Sequence, residues 1–553
     1  MDDVDFLNGT IRTGDPDANL AGPSRRRVVT QMAKLAGVAT AASAWSLTTG
    51  AAALAEDTAR VFDVKTFGAT GDGKSLDTSS INKAIDAAAS AGGGRVSFPA
   101  GSYLCHSIHL QSNITLYLGE GATLVAADPL PQGVSGGYDL AEPNQWNQYQ
   151  DFGHSHWRNS LIWGEDLHDI AILGPGLIWG KGLSRGAGQT PPVAEQPGVA
   201  NKAISLKNCR NVTLRDFSIL HGGHFGILAT GVDNLTIDNL KIDTNRDGID
   251  IDCCRNVRVS NTSVNSPWDD AICLKSSFGL GFARATEMVT ITNCFVSGSF
   301  EEGTLLDGTY KRFAPDFRVP RTGRVKFGTE SNGGFKNITI SNIVFDGCQG
   351  LALETVDGGV LEDVTITNIT MRDIITAPFF LRLGSRMRGP AGVPVGVLRR
   401  VVISNVVCSN SASRISSIIS GIPGHPIEDV KLSNIYVQHR GGGTQETAVL
   451  KPPENETAYP EPTMFGATPS QGCYIRHAKN IELNDFEISA LNTDARPAFV
   501  LDDVQGASFS HIRIPAHGSE GPAFVLNKVE DFSVDRSHPT PDTQIDRAEQ
   551  RKL

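Results

Sequence analysis

Asn211-Val212-Thr213-Leu214, Asn234-Leu235-Thr236-Ile237 and Asn256-Val257-Arg258-Val259 start 23 and then 22 residues apart. In each, apolar and polar side chains alternate over a few residues, the period of a half-buried strand, and asparagine marks the turn that opens it. The phrase returns as Asn113-Ile114-Thr115-Leu116 and Asn337-Ile338-Thr339-Ile340, with degenerate copies beginning at Met288, Asp363, Asp429 and Asn480. A second phrase of the same kind follows at Asn239, Asn342, Asn368, Asn405 and Asn434. Two or three short strands per turn of about 22 residues describe a solenoid, whose core exists only where coils stack. The LxxLxLxxN pattern of the helical alternative is missing. The predicted fold class is therefore all-β, a single-stranded right-handed parallel β-helix.

The flanks fit this reading. Val61-Phe62-Asp63-Val64 runs into a glycine turn, and the stretch from Asp77 through Ala88 carries a cap residue and helical periodicity. A short N-terminal capping helix there would cover the exposed edges of the first coil. Upstream, Ser24-Arg25-Arg26-Arg27-Val28-Val29 precedes an alanine-rich apolar stretch that ends at Ala53-Leu54-Ala55. A twin-arginine start, a modest apolar run and small residues at the cut predict a bacterial Tat-type signal over residues 1–55. The solenoid domain is assigned to 56–535 and a polar C-terminal tail to 536–553. The implied location is periplasmic or secreted, with no membrane contact after signal removal.

Composition narrows the partners. A formal net charge of −11 lacks the basic excess of a nucleic-acid binder. Nine cysteines without CxxC or Cys/His spacing predict neither a disulfide framework nor a zinc site, but small buried hydrophobes. No cofactor and no resident metal are expected, and the chain is read as a monomer. Two segments break the repeat: 130–160, with Tyr138, Trp146, Tyr149, His154 and Trp157, and 439–475, with Tyr459 and Phe465. On a solenoid such insertions line the binding face.

The densest acidic chemistry lies in two successive coils, Asn245-Arg246-Asp247-Gly248-Ile249-Asp250-Ile251-Asp252 and Pro267-Trp268-Asp269-Asp270-Ala271-Ile272-Cys273-Leu274. Setting Ile249 against Ile272 and Ile251 against Leu274 stacks Asp247 on Asp270. Adjacent strands lie about 4.8 Å apart, so the two carboxylates share one face with Asp269 beside them. Mutual repulsion should raise at least one proton affinity and supply an acid near neutral pH. Asp247 and Asp270 would hold a water while Asp269 protonates a leaving oxygen, the arrangement of an inverting glycosidase. A calcium site and plain solvated turns are the alternatives that spacing leaves open, and Asp243, Asp250 and Asp252 are read as turn residues.

These phrases resemble glycoside hydrolase family 28, the polygalacturonases and related pectin hydrolases, over residues 60–375. The family's Asn-Thr-Asp motif stands here as Asn245-Arg246-Asp247 and its Gly-Asp-Asp motif as Trp268-Asp269-Asp270. The resemblance implies Asp269 as general acid and Asp247 with Asp270 as the water-activating pair. It implies a polysaccharide or oligosaccharide substrate and, from the insertions, exo action.

Two family motifs are altered. The histidine expected ahead of Gly328-Thr329-Glu330 is missing, and Thr322, Arg324 and Lys326 stand nearby. The Arg-Ile-Lys that would bind a galacturonate carboxylate is replaced by Ala352-Leu353-Glu354, which trades a cation pair for repulsion. Either the adjoining subsite takes a neutral sugar or cations from elsewhere meet the carboxylate. Candidates are Arg382, Arg386 and Arg388, and Lys311, Arg312, Arg318 and Arg321 in an inserted loop. Asn245, His224, Lys275, Arg324, Lys326, Glu354 and Arg382 form the expected substrate-binding set. His224 is read as a pocket wall or a buried structural histidine, and Lys275 as a ligand contact or an ion pair with the aligned Asp252. A polysaccharide lyase using calcium and an Arg or Lys base, and a non-catalytic carbohydrate-binding solenoid, are the competing functions.

Overall fold

The structure, a computed structural model, describes residues 60–131, 134–151, 153–185, 196–314, 319–515 and 518–553. The export segment 1–55 and Arg318 lie outside the described residues. From Arg60 to Leu553 the chain is one compact unit.

Strands stack coil upon coil in parallel. On the face that matters below they are β1 (Phe225–Thr230), β2 (Asp247–Asp252), β3 (Ile272–Ser276), β4 (Val325–Ser331), β5 (Leu351–Thr355) and β6 (Phe379–Leu383), each paired with the next. Ile227, Ile249, Ile272 and Val325 form one inward column. All four are fully buried. Gly226 and Gly248 let neighbouring coils approach: a Cβ on Gly248 would sit 2.5 Å from the Ala271 carbonyl oxygen and from Val264 Cγ1.

The repeated asparagines are the corners. Asn211, Asn234, Asn256, Asn337, Asn342, Asn368 and Asn405 all have φ between 54° and 58°, the left-handed region in which asparagine is favoured among non-glycine residues. Their side chains also form a ladder across coils. Asn234 Nδ2 donates to Asn211 Oδ1 at 2.8 Å, and Asn256 Nδ2 donates to Asn234 Oδ1 at 2.7 Å. Asn234→Ala is expected to cost about 1–3 kcal/mol, from left-handed strain and two lost rungs. Asn234→Gly should recover the backbone share, and denaturation midpoints of the two variants would separate the contributions.

The expected helix is α1, Thr78–Ser90, which buries Ile81, Ala84, Ile85 and Ala88 against the first coil. Asp77 differs from its expected role. It makes no side-chain cap to α1, and instead accepts from the backbone N–H groups of Thr70 at 2.7 Å and Gly71 at 3.0 Å, fixing the preceding turn. At the other end, Thr543–Lys552 lies within the segment expected to be a polar tail but is a strand. It pairs antiparallel with Phe524–Asp535 and covers the last edge. All nine cysteines are buried and unbridged, as expected for small apolar fillers.

Candidate active site

The registers Ile249–Ile272 and Ile251–Leu274 are those expected from sequence, with Asp252 against Lys275. Asp247 opens β2, and the Gly248 N–H donates to the Asp270 carbonyl at 3.0 Å, so the two aspartates sit on adjacent coils. Carboxylate oxygens of Asp247 and Asp269 and a ring nitrogen of His224 lie within 4.8 Å of one another. Asp247 and Asp270 are buried, whereas a quarter of the Asp269 side chain is exposed.

The three carboxyls differ because their neighbours differ. Burial pushes Asp247 well above the usual carboxylate range, and the charges of Asp250 and Asp269 push the same way. Burial also raises Asp269, against the pull of Arg246, whose Nη2 lies 2.5 Å from Asp269 Oδ2. Burial works on Asp270 as well, but Lys326 and Arg324 overcome it and hold that carboxyl below its ordinary value. Asp270 is therefore the fixed anion, while Asp247 and Asp269 compete for a proton.

Arg324 and Lys326, expected to touch substrate, serve this anion. Arg324 Nε donates to Asp270 Oδ1 at 2.9 Å, Nη1 to Gln349 Oε1 at 2.7 Å and Nη2 to Glu461 Oε1 at 2.5 Å. Lys326 Nζ lies 3.5 Å from Asp270, 3.7 Å from Glu354 and 3.7 Å from Glu461, and packs against the Tyr459 ring. Tyr459 and Glu461 belong to the second insertion, so that loop does reach the site.

Glu354 is fully buried with neither oxygen hydrogen-bonded. Burial raises its pKa to about 8, although Lys326 and Arg324 oppose this. An acid raised on folding favours the native state while protonated, so this contribution is whole below about pH 4.5 and lost as pH climbs to about 8. Glu354→Gln should flatten the decline in stability between those limits. Thermal midpoints across pH 5–9 would check it, and an unchanged slope would remove Glu354 from the site's charge balance.

Under Asp247 lies a second layer. His154, from the first insertion, places Nε2 3.2 Å from Asp250 Oδ2 and Nδ1 3.5 Å from Glu330 Oε1. Lys275 Nζ lies 3.9 Å from Asp250 and 3.5 Å from Glu330, and Asp151 N donates to Glu330 Oε1 at 2.7 Å. Lys275 thus aligns with Asp252 but pairs with Asp250 and Glu330. Asp252 instead accepts from the Ser277 backbone and hydroxyl, each at 2.7 Å. Asp250 and Asp252, expected in turns, are buried strand residues.

Arg382 leaves the substrate-binding set. It is buried, and its Nη atoms donate to Ser420 Oγ at 2.9 Å and to the carbonyls of Gly421, Glu454 and Asn455, which anchors the second insertion. Arg386 and Arg388 are taken by Asp357 and Asp151. His224 is buried against Phe225 beside the carboxylates, and burial holds its ring well below the ordinary histidine pKa. Asn245 lines a cavity of ≈ 160 Å³ together with Trp268 and Arg185. His154, Asp250, Glu330, Arg246, Glu461 and Arg185 were not among the expected site residues.

Two groupings, His154–Asp247–Asp250 and His224–Asp247–Asp269, have donor spacing short enough for a metal ion. Mixed imidazole and carboxylate donors suit zinc or a transition metal better than calcium, which prefers six or more oxygens.

Comparison with known proteins agrees with the fold and finds polygalacturonases among the similar proteins. Residues 61–172 match the family Rhamnogalacturonase A/epimerase, pectate lyase-like, and residues 199–314 match Right handed beta helix region. A probable polygalacturonase of Vitis vinifera is 22% identical over 73% of this chain and 80% of its own. An exo-poly-alpha-D-galacturonosidase of Dickeya chrysanthemi is 24% identical over 65% of this chain and 64% of its own, so more than a third of that relative lies outside the match. The family 28 exopolygalacturonase structure from Yersinia enterocolitica superposes with a TM-score of 0.57 at 18% identity, over 87% of this chain and 79% of that one, which shows the shared fold. The chain is similar to polygalacturonases at low identity and has the right-handed parallel β-helix fold of a family 28 exopolygalacturonase.

Proposed function

We propose that this protein hydrolyses an O-glycosidic bond in pectin-type or related polysaccharides, from a chain end, by direct attack of water. The observation that carries the reading is the set of three carboxyls on adjacent coils, with Asp270 buried against Arg324 and Lys326, Asp247 buried beside it and Asp269 a quarter exposed. Asp269, the exposed member, delivers a proton to the leaving oxygen. Asp270, kept ionised by Arg324 and Lys326, and Asp247 orient the water that attacks the anomeric carbon from the opposite face and take the proton it loses, while the bond to the protonated leaving oxygen breaks. The insertions carrying His154 and Tyr459 flank the cleft and favour exo action.

A lyase would need a free Arg or Lys as base. Arg246, Lys275, Arg324 and Lys326 are each held by carboxylates, so none of these four is free to act as a base, which favours hydrolysis. Incubation with polygalacturonate, and with neutral galactan, tests the reading. New reducing ends without ultraviolet absorbance are expected, and an unsaturated, chelator-sensitive product would overturn it. Export through the twin-arginine route belongs to the same proposal, and fractionation of expressing cells with N-terminal sequencing after Ala55 would check it.

A further inference from the structure

The family's carboxylate clamp is missing at Ala352 and Glu354, and Arg324 and Lys326 are spent on Asp270, so a charged sugar would have to be met elsewhere. One cation near the aspartates, Arg185, has no ion-pair or hydrogen-bond partner among the described residues. It lines the ≈ 160 Å³ cavity with His221, Asp243, Thr244, Asn245, Pro267, Trp268, Phe300, Gly303 and Phe313. Burial alone depresses its pKa, with no carboxylate raising it.

The rest of the wall explains why the guanidinium stays unpaired. Asp243 is the carboxylate at hand, but it already accepts from Asn265 Nδ2 at 2.9 Å, Thr304 Oγ1 at 2.8 Å and Leu305 N at 2.8 Å. His221 is kept towards its neutral form by burial and by Arg185 itself. A half-buried guanidinium without a counterion is costly to maintain and strongly favours a bound anion, and its planar fork matches a carboxylate.

The cavity is also placed for substrate. Asn245 stands two residues before Asp247, and Trp268, 43% exposed, directly precedes Asp269. An indole face beside an amide and a cation is an arrangement that stacks on a sugar ring and orients its polar groups. We infer that Arg185, Asn245 and Trp268 form a subsite for an acidic sugar unit next to the bond that is cut, with Arg185 binding its carboxylate.

This inference rests on the hydrolase reading for its place in turnover but not for binding, and the test separates the two. Trigalacturonate and a neutral trigalactose of the same linkage are compared on the full chain, on Arg185→Ala and on Arg185→Lys. Loss of a charged hydrogen bond predicts a fall of about 10- to 100-fold in kcat/KM for the acidic trisaccharide on Arg185→Ala, mostly through KM. The neutral trisaccharide should be unaffected, and Arg185→Lys should retain part of the preference. Equal effects on both sugars, or none on either, would overturn the inference. If the parent cleaves neither, calorimetric binding of the same two sugars decides. Selective loss of the acidic ligand on Arg185→Ala sustains the subsite while sinking hydrolysis, and unchanged binding sinks the subsite.

Discussion

Replacing Asp269 by asparagine is expected to lower turnover by about 10²–10⁴-fold, the range for removing a positioned general acid, while leaving the coil stacking unchanged. Asp269 touches the fold lightly. It is the partly exposed member of the trio, and its charged partner Arg246 is itself 28% exposed, so asparagine can keep one hydrogen bond and water can take the rest. KM should move little, because the lost interaction belongs to the transition state. Substrates with an activated leaving group, which need no proton, should recover much of the rate. A variant that stays folded and keeps most of its turnover would remove Asp269 from the mechanism.

Arg324→Ala is expected to cost about 3–5 kcal/mol of stability, because it removes the hydrogen-bonded one of the two cations that hold the buried Asp270 carboxylate and leaves Lys326 alone at 3.5 Å. Arg324 is fully buried and joins Asp270, Gln349 and Glu461, so one truncation strands three acceptors. Activity should fall further than stability explains, since with Lys326 alone beside it the proton affinity of Asp270 rises and it holds water less well as an anion. Arg324→Lys keeps the charge but not the fork and should fall between. Chemical denaturation of the three proteins, with residual activity measured well below the transition, separates the effects. An Arg324→Ala protein as stable as the parent would show that Asp270 is not the buried anion described.

The solenoid was legible because its signal is local and repeated. Each asparagine corner needs only the left-handed backbone, and each coil repeats the alternation of its neighbour, so the register of Ile249 on Ile272 follows from counting. The aspartates followed from the same count. What surrounds them did not, because it comes from distant insertions whose path no periodicity describes. Glu461 reaches Arg324 across 137 positions, and Asp151 reaches Glu330 across 179. Arg382 shows the opposite error: an arginine beside a strand suggested a ligand, and only the carbonyls of the folded-back insertion reveal an anchor. Asp250 reads as a turn residue because aspartate is common in turns, yet its strand position buries it beneath Asp247. Arg185 follows no motif, and only the cavity it shares with Asn245 and Trp268 brings it beside the coils that carry the aspartates.

The central claim is that water, held by Asp247 and Asp270, attacks directly while Asp269 protonates the leaving group. Proton NMR of the first product formed from a defined oligosaccharide tests this most directly, because the newborn anomer is seen before it equilibrates. The account predicts an initial product of opposite anomeric configuration to the bond cleaved. A product formed with retained configuration, or one bearing a double bond, would contradict it.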